Sequence, residues 1–228
     1  METQELIHRI ALLKPGSLGD TGTVSIQTLR AISKHCSGVM DHTLETGCGR
    51  TTLLFSNISR NHDVFALDSE GMQRIRAHEL MGSAAIRFIE GPTQKTMPTH
   101  VFDCMYDAIL LDGPHGYPFP EIEYFFCYPN LKNGGLLILD DIDIPTIDHM
   151  YRVLGQDDMF EPIGVFGGTG FLKRTSAPLF YPYGDGWWLQ NHNTRHYPTR
   201  LQTRMALLLA RVIPKRIKTH LRRWIIRY

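Results

Sequence analysis

The stretch Thr43-Leu44-Glu45-Thr46-Gly47-Cys48-Gly49-Arg50-Thr51-Thr52-Leu53-Leu54-Phe55 decides the fold. A short run ends at an acidic residue, two glycines permit a tight turn and close backbone approach, and a helix-patterned segment follows. Strand, glycine loop and helix in that order form the first half of a βαβ unit. Working outward, the pattern repeats. Strand-like runs fall at Val64 to Leu67, Ile86 to Ile89, Ala108 to Leu111 and Leu136 to Leu139. Helical spacing lies between them at Thr51 to Ser59, Gly71 to Met81 and Pro120 to Leu131, and ahead of them at Thr23 to Lys34. The alternation predicts an α/β domain around a mostly parallel sheet. Phe160 to Val165 and Gly170 to Lys173, joined through Gly167-Gly168, predict a late antiparallel hairpin at the sheet edge.

Length and composition bound the rest. At 228 residues and 43% hydrophobic, the chain suits one principal core with appendages. The first residues lack the apolar run of a secretion signal, and no run is long enough to span a bilayer. The four cysteines lack metal-finger spacing. A cytoplasmic protein with reduced thiols is expected. The net charge of +1 conceals a split: residues 1–185 carry −9 and residues 186–228 carry +10. The expected organisation is a domain over 1–177, an aromatic Pro/Gly-rich linker over 178–198 and a basic amphipathic helical tail over 199–228. Leu201, Met205, Leu208 and Val212, then Ile217, Leu221, Trp224 and Ile225, form the tail's apolar stripes. Such a tail suits an anionic membrane surface, which would put the protein at the inner face of the membrane, or packing on its own body or a second subunit. No nucleic-acid reading module accompanies the charge, so nucleic acid is not an expected partner.

In open α/β sheets ligands bind beyond the carboxyl ends of the strands. The residues there are Glu45, Gly47 and Gly49 after the first run, Asp68 after the second, and Gly91-Pro92-Thr93-Gln94 after the third. Asp112-Gly113-Pro114-His115 follows the fourth, and Asp140-Asp141 the fifth. A carboxylate at Asp68 can accept hydrogen bonds from ribose hydroxyls. Asp112, Asp140 and Asp141 together are costly unless paired, hydrated or bound to a cation, and Mg²⁺ would resolve their repulsion. The alternative is that some of them cap helices or turns. His115 fits a general base near neutrality, or a structural hydrogen bond in a Gly-rich turn.

This order of motifs resembles the class I S-adenosylmethionine (SAM)-dependent O-methyltransferases, in particular the metal-dependent catechol O-methyltransferase group and bacterial sugar O-methyltransferases. The likeness covers about residues 23 to 175. It implies a Rossmann-like three-layer methyltransferase fold. It also implies that Glu45, Gly47 and Gly49 hold the methionine end of SAM, Asp68 the ribose, and Thr93 with Gln94 the adenine edge. Asp112 would lie between cofactor and metal, with Asp112, Asp140 and Asp141 as Mg²⁺ ligands. His115 stands three residues after Asp112, where the catechol group has a lysine base, and Asp141 stands where that group has Asn. The implied activity is methyl transfer to a hydroxyl of a small polyhydroxylated acceptor such as a sugar. A SAM-binding but inactive scaffold acting through its basic tail is the alternative.

Overall fold

The computed structural model describes residues 2–14, 16–18, 24–36, 38–67 and 69–196, with Met205 and Leu208 beyond them. Its centre is a seven-stranded sheet: β1 (Met40–Thr46), β2 (Ser59–Ala66), β3 (Ala85–Glu90), β4 (Tyr106–Leu111), β5 (Leu131–Leu139), β6 (Phe160–Phe166) and β7 (Thr169–Arg174). The order is β3-β2-β1-β4-β5-β7-β6. The first five strands pair in parallel, and β7 runs antiparallel to both β5 and β6. This is the Rossmann-like methyltransferase arrangement, with the predicted hairpin at one edge. The chain goes outward from β1 through β2 to β3, then returns to place β4 on the other side of β1. That reversal opens a crevice at the carboxyl ends of β1 and β4.

β4 from Ala108 and β5 from Leu136 are apolar at every position because both faces are covered there. Ala108, Leu110, Leu136 and Ile138 belong to the core with α1 (Thr3–Ala11), α2 (Ile26–His35) and α3 (Arg50–Ile58). The alternate positions Ile109, Leu111, Leu137 and Leu139 are buried too. The remaining helices are α4 (Ser69–Arg76), the single turn α5 (Thr93–Thr96), α6 (Phe119–Cys127), α7 (Pro145–Leu154) and α8 (Asn191–His196). Helix α6 packs on α5 and α7, making a second helical group beside that of α1 to α3.

Several boundaries differ from the periodicity. The amino-terminal segment forms α1, because Leu6, Ile7 and Ile10 fall on one face and are buried. Helix α6 stops at Cys127, and Leu131 opens β5 after a 3₁₀ turn containing Pro129. Between Lys132 and Leu136 the register of β5 against β4 shifts, with Gly134 at φ +82° making the bulge.

The chain divides into two compact units, Met1–Leu179 and Phe180–Tyr228. In the second, Phe180 stacks on Trp187 and Tyr181 meets Tyr183 edge to face. Met205 and Leu208 are helical and exposed; the rest of the basic tail lies outside the described residues. Among the described residues no helix is long and apolar enough to cross a membrane.

Candidate active site at the β1–β4–β5 carboxyl ends

The glycine loop is held from below by hydroxyls. Gly47 has φ +90°, and a Cβ there would lie 2.6 Å from the carbonyl oxygen of Asp112. Only glycine allows both the left-handed backbone and this approach of the β1 loop to the β4 loop. The Gly47 N–H donates to Phe65 at 2.8 Å, which fixes the turn over β2. Gly49 N–H donates to Thr52 Oγ1 at 2.9 Å, and the Thr52 hydroxyl in turn donates to Glu45 Oε1. Glu45 is fully buried, its Oε1 also faces His62 Nε2 at 3.2 Å, and its Oε2 has no hydrogen-bond partner among the described residues. Cys48 is a packing residue, lying against Val64, Ala66 and Met72.

Thr46 joins three elements. Its hydroxyl donates to Glu123 Oε2 of α6 at 2.8 Å and accepts from the Asp112 N–H at 2.9 Å. Glu123 fills the space above Gly113, where a Cβ would stand 1.9 Å from Oε1. Glu123 is 1% exposed and borders a small cavity with Gly113, Pro114 and His115. Burial raises its carboxyl pKa to about 7, against the lowering effect of the Thr93 and Thr46 hydroxyls.

The β4 and β5 ends meet here. Asp112 is held well above the usual carboxylate range, first by burial and then by the charges of Asp140, Glu45, Asp141 and Glu123. Five carboxyl groups thus converge on one crevice, an environment that favours a bound cation. Asp140 and Asp141, adjacent in sequence, part company. Asp141 adopts φ +53°, a left-handed conformation that aspartate tolerates better than most residues. The Asp140 carboxyl lies back on β7, where it accepts from the Thr169 hydroxyl. Asp141 faces forward, its Oδ2 lying 3.1 Å from His115 Nδ1. His115 Nε2 lies 3.8 Å from Asp112 Oδ1. Asp112, His115 and Asp141 each offer a ligand atom within 4.8 Å of the others.

Of the residues singled out from the sequence, Glu45, Gly47, Gly49, Asp112, His115 and Asp141 are gathered at this crevice. Asp140 borders it through Thr169, outside the Asp112–His115–Asp141 cluster. Thr93 is buried at the start of α5 beside Glu123, while Gln94 is exposed. Asp68 lies outside the described residues. The sequence reading missed His62 and the partners Thr46, Thr52 and Thr169. A histidine at an inward position of a strand, and a threonine three residues after a loop glycine, were the available signals.

Residues 44–142 match a family model described as a methyltransferase domain. No match is found among curated proteins. Among solved structures the chain is similar to the SAH-bound methyltransferase PaMTH1 of Podospora anserina, at 16% identity, 76% of this chain, 88% of that one and a TM-score of 0.55. It is also similar to the O-methyltransferase TomG of Streptomyces achromogenes, solved with SAM, at 11% identity, 75% and 90% coverage and a TM-score of 0.57. An O-methyltransferase of Bacillus cereus in complex with SAH gives 11% identity, 76% and 90% coverage and a TM-score of 0.54.

Proposed function

We propose that this chain, a SAM-dependent methyltransferase by its domain match and class I fold, methylates a hydroxyl of a small polyhydroxylated acceptor such as a sugar, assisted by Mg²⁺. The observation that carries the reading is the His115 geometry: Nδ1 lies 3.1 Å from Asp141 Oδ2 and Nε2 3.8 Å from Asp112 Oδ1, whose loop meets the Gly47 turn.

The residues fit SAM. The Gly47 turn leaves a space a side chain would fill, Glu45 offers a buried unpartnered oxygen, and the convergent carboxyls suit a sulfonium and an ammonium. Asp68 would take the ribose hydroxyls, and Thr93 with Gln94 the adenine side. They also fit a hard divalent cation, with Asp112 and Asp141 as carboxylate ligands, Asp140 close behind, and the remaining positions open to water and acceptor oxygens. When bound, SAM supplies an electrophilic methyl group and the cation acts as a Lewis acid that lowers the acceptor hydroxyl's pKa.

The protein's own part is positioning and proton removal. In the tautomer with its proton on Nδ1, which lies 3.1 Å from Asp141 Oδ2, His115 keeps the Nε2 lone pair for the acceptor's proton. The freed oxygen would then face the methyl group that SAM supplies. Asp141 and Asp112 stabilise the resulting imidazolium, as a carboxylate does beside a catalytic histidine. The Gly47, Thr46 and Asp112 contacts fix the cofactor loop relative to this base, so the acceleration comes chiefly from orientation.

Calorimetric titration with SAM, SAH and NADH tests the cofactor class. SAM and SAH should bind at micromolar concentrations, an order of magnitude set by ordinary cofactor levels, and NADH should not. Turnover of polyhydroxylated acceptors should fall with EDTA and return with Mg²⁺, and Asp141→Asn should blunt both responses. Folded protein that binds neither SAM nor SAH would overturn the reading. The basic segment 199–228 suits an anionic membrane surface that would bring the enzyme to a lipid-linked acceptor; flotation with phosphatidylserine vesicles, with and without that segment, tests it.

A further inference from the structure

Beneath the glycine loop lies a group of buried polar side chains that takes no part in the chemistry above: Thr43 on β1, Ser59 and His62 on β2, and Thr52 on α3. All are buried, and His62 and Glu45 are both fully enclosed. The Ser59 hydroxyl donates to the Phe55 carbonyl at 2.6 Å, so Ser59 Oγ can only accept from Thr43 Oγ1, 3.0 Å away. Thr43 Oγ1 also lies 2.8 Å from His62 Nδ1, which ties that edge of the ring to β1. The other nitrogen, Nε2, faces Glu45 Oε1 at 3.2 Å, an oxygen that already accepts from the Thr52 hydroxyl. A hydrogen bond there puts a proton on Nε2, and together with the Thr52 hydroxyl it lets a buried glutamate stand at the base of the cofactor loop.

The consequence concerns the other oxygen. Oε1 is engaged by Thr52 and His62, while Oε2 is buried and has no partner among the described residues. A buried carboxylate oxygen left open in this way costs stability unless a ligand donates to it. The ring of His62, fully buried and tilted against Phe55 with centroids 5.1 Å apart, is held on Oε1 and leaves Oε2 as the open oxygen of Glu45.

We propose that His62 is a positioning residue for cofactor recognition: through its Nε2 contact with Glu45 Oε1 it orients Glu45 Oε2 to receive the ammonium group at the amino-acid end of SAM. The inference rests on the cofactor assignment above and adds the atom that reads the ammonium and the residue that aims it. His62 itself touches no part of the cofactor.

The test compares calorimetric affinities for SAH and for 5′-methylthioadenosine, which keeps the adenosine and the sulfur and lacks the amino-acid end. In the full chain, His62→Phe keeps an aromatic ring on Phe55 and removes both ring nitrogens. It should weaken SAH binding at least ~10-fold, the worth of a hydrogen bond to a charged group, and leave methylthioadenosine binding within about 2-fold of wild type. Glu45→Gln should show the same selective loss, and the double variant should lose little more than either alone, since both act on one contact. His62→Gln, whose amide N–H can reach Glu45, should recover SAH affinity to within about 3-fold of wild type. Should His62→Phe fail to fold, as judged by near-UV circular dichroism, His62→Met takes its place in the same comparison. Equal weakening of both ligands would make His62 a general support of the loop and overturn the inference, as would unchanged SAH affinity. Wild-type protein that binds neither ligand overturns the cofactor assignment itself, and the inference with it.

Discussion

Glu123 offers a prediction whose size follows from its surroundings. Its carboxyl is 1% exposed, wedged against Gly113, and held at a pKa of about 7 where 4.5 is usual, with burial as the leading cause. A carboxyl whose folded pKa is raised binds its proton more tightly in the folded state. The stability this gives is fully present below the unfolded value of 4.5 and is lost as pH rises through 7. At about 1.4 kcal/mol per pH unit, the ionised side chain costs the fold about 3 kcal/mol at pH 8 relative to the protonated one. Glu123→Gln keeps an oxygen to accept from Thr46 and cannot ionise. Asp112 and Asp140 are raised in the same direction, so wild-type stability alone would not isolate Glu123. The difference between the two proteins does. Urea unfolding of the ligand-free protein at pH 4.5 and pH 8 should show wild type losing about 3 kcal/mol more than Glu123→Gln over that interval. Parallel pH profiles, with the two proteins separated by a constant amount, would refute the assignment of a buried, proton-retaining Glu123.

Further expectations follow from single contacts. Gly47→Ala places a methyl 2.6 Å from the Asp112 carbonyl in a left-handed backbone, and should cost about 1–3 kcal/mol of stability and more than ~10-fold in SAM affinity by calorimetry. Asp63→Asn disrupts the bidentate Arg87 pair and the 2.6 Å bond from the Tyr106 hydroxyl; it should lower stability by about 2 kcal/mol in urea while leaving SAM affinity unchanged, because the network lies away from the crevice. Thr169→Val removes the donor to the buried Asp140 carboxyl and should cost about 1–3 kcal/mol, measured in the same way. Gly82→Ala would press a methyl to 2.1 Å from the Ser56 carbonyl and should depress the thermal midpoint without altering the SAH-to-methylthioadenosine affinity ratio.

By itself the sequence determined the order of elements and the rim of the crevice. Both are local properties. Short apolar runs broken by glycine and acidic residues specify parallel strands, and a strand's carboxyl end places Glu45, Asp112 and Asp140-Asp141 at one edge of a parallel sheet whatever the packing around them. It also marked Gly47, since a strand-to-helix turn needs a residue free of Cβ. Tertiary structure decided which of those groups face one another. Asp140 and Asp141 look equivalent in sequence, and only the positive φ at Asp141 sends one towards His115 while Thr169, 29 residues beyond Asp140, takes the other. Glu123 gains its place only because α6 lays it on Gly113. His62 carried no motif at all. Its role arises because parallel register brings β2 alongside β1, setting the ring against Glu45 with Thr43 behind it. Backbone periodicity is encoded within a few residues of chain, whereas the partner of a buried polar group is chosen by desolvation among whatever the fold brings within 3 Å or so.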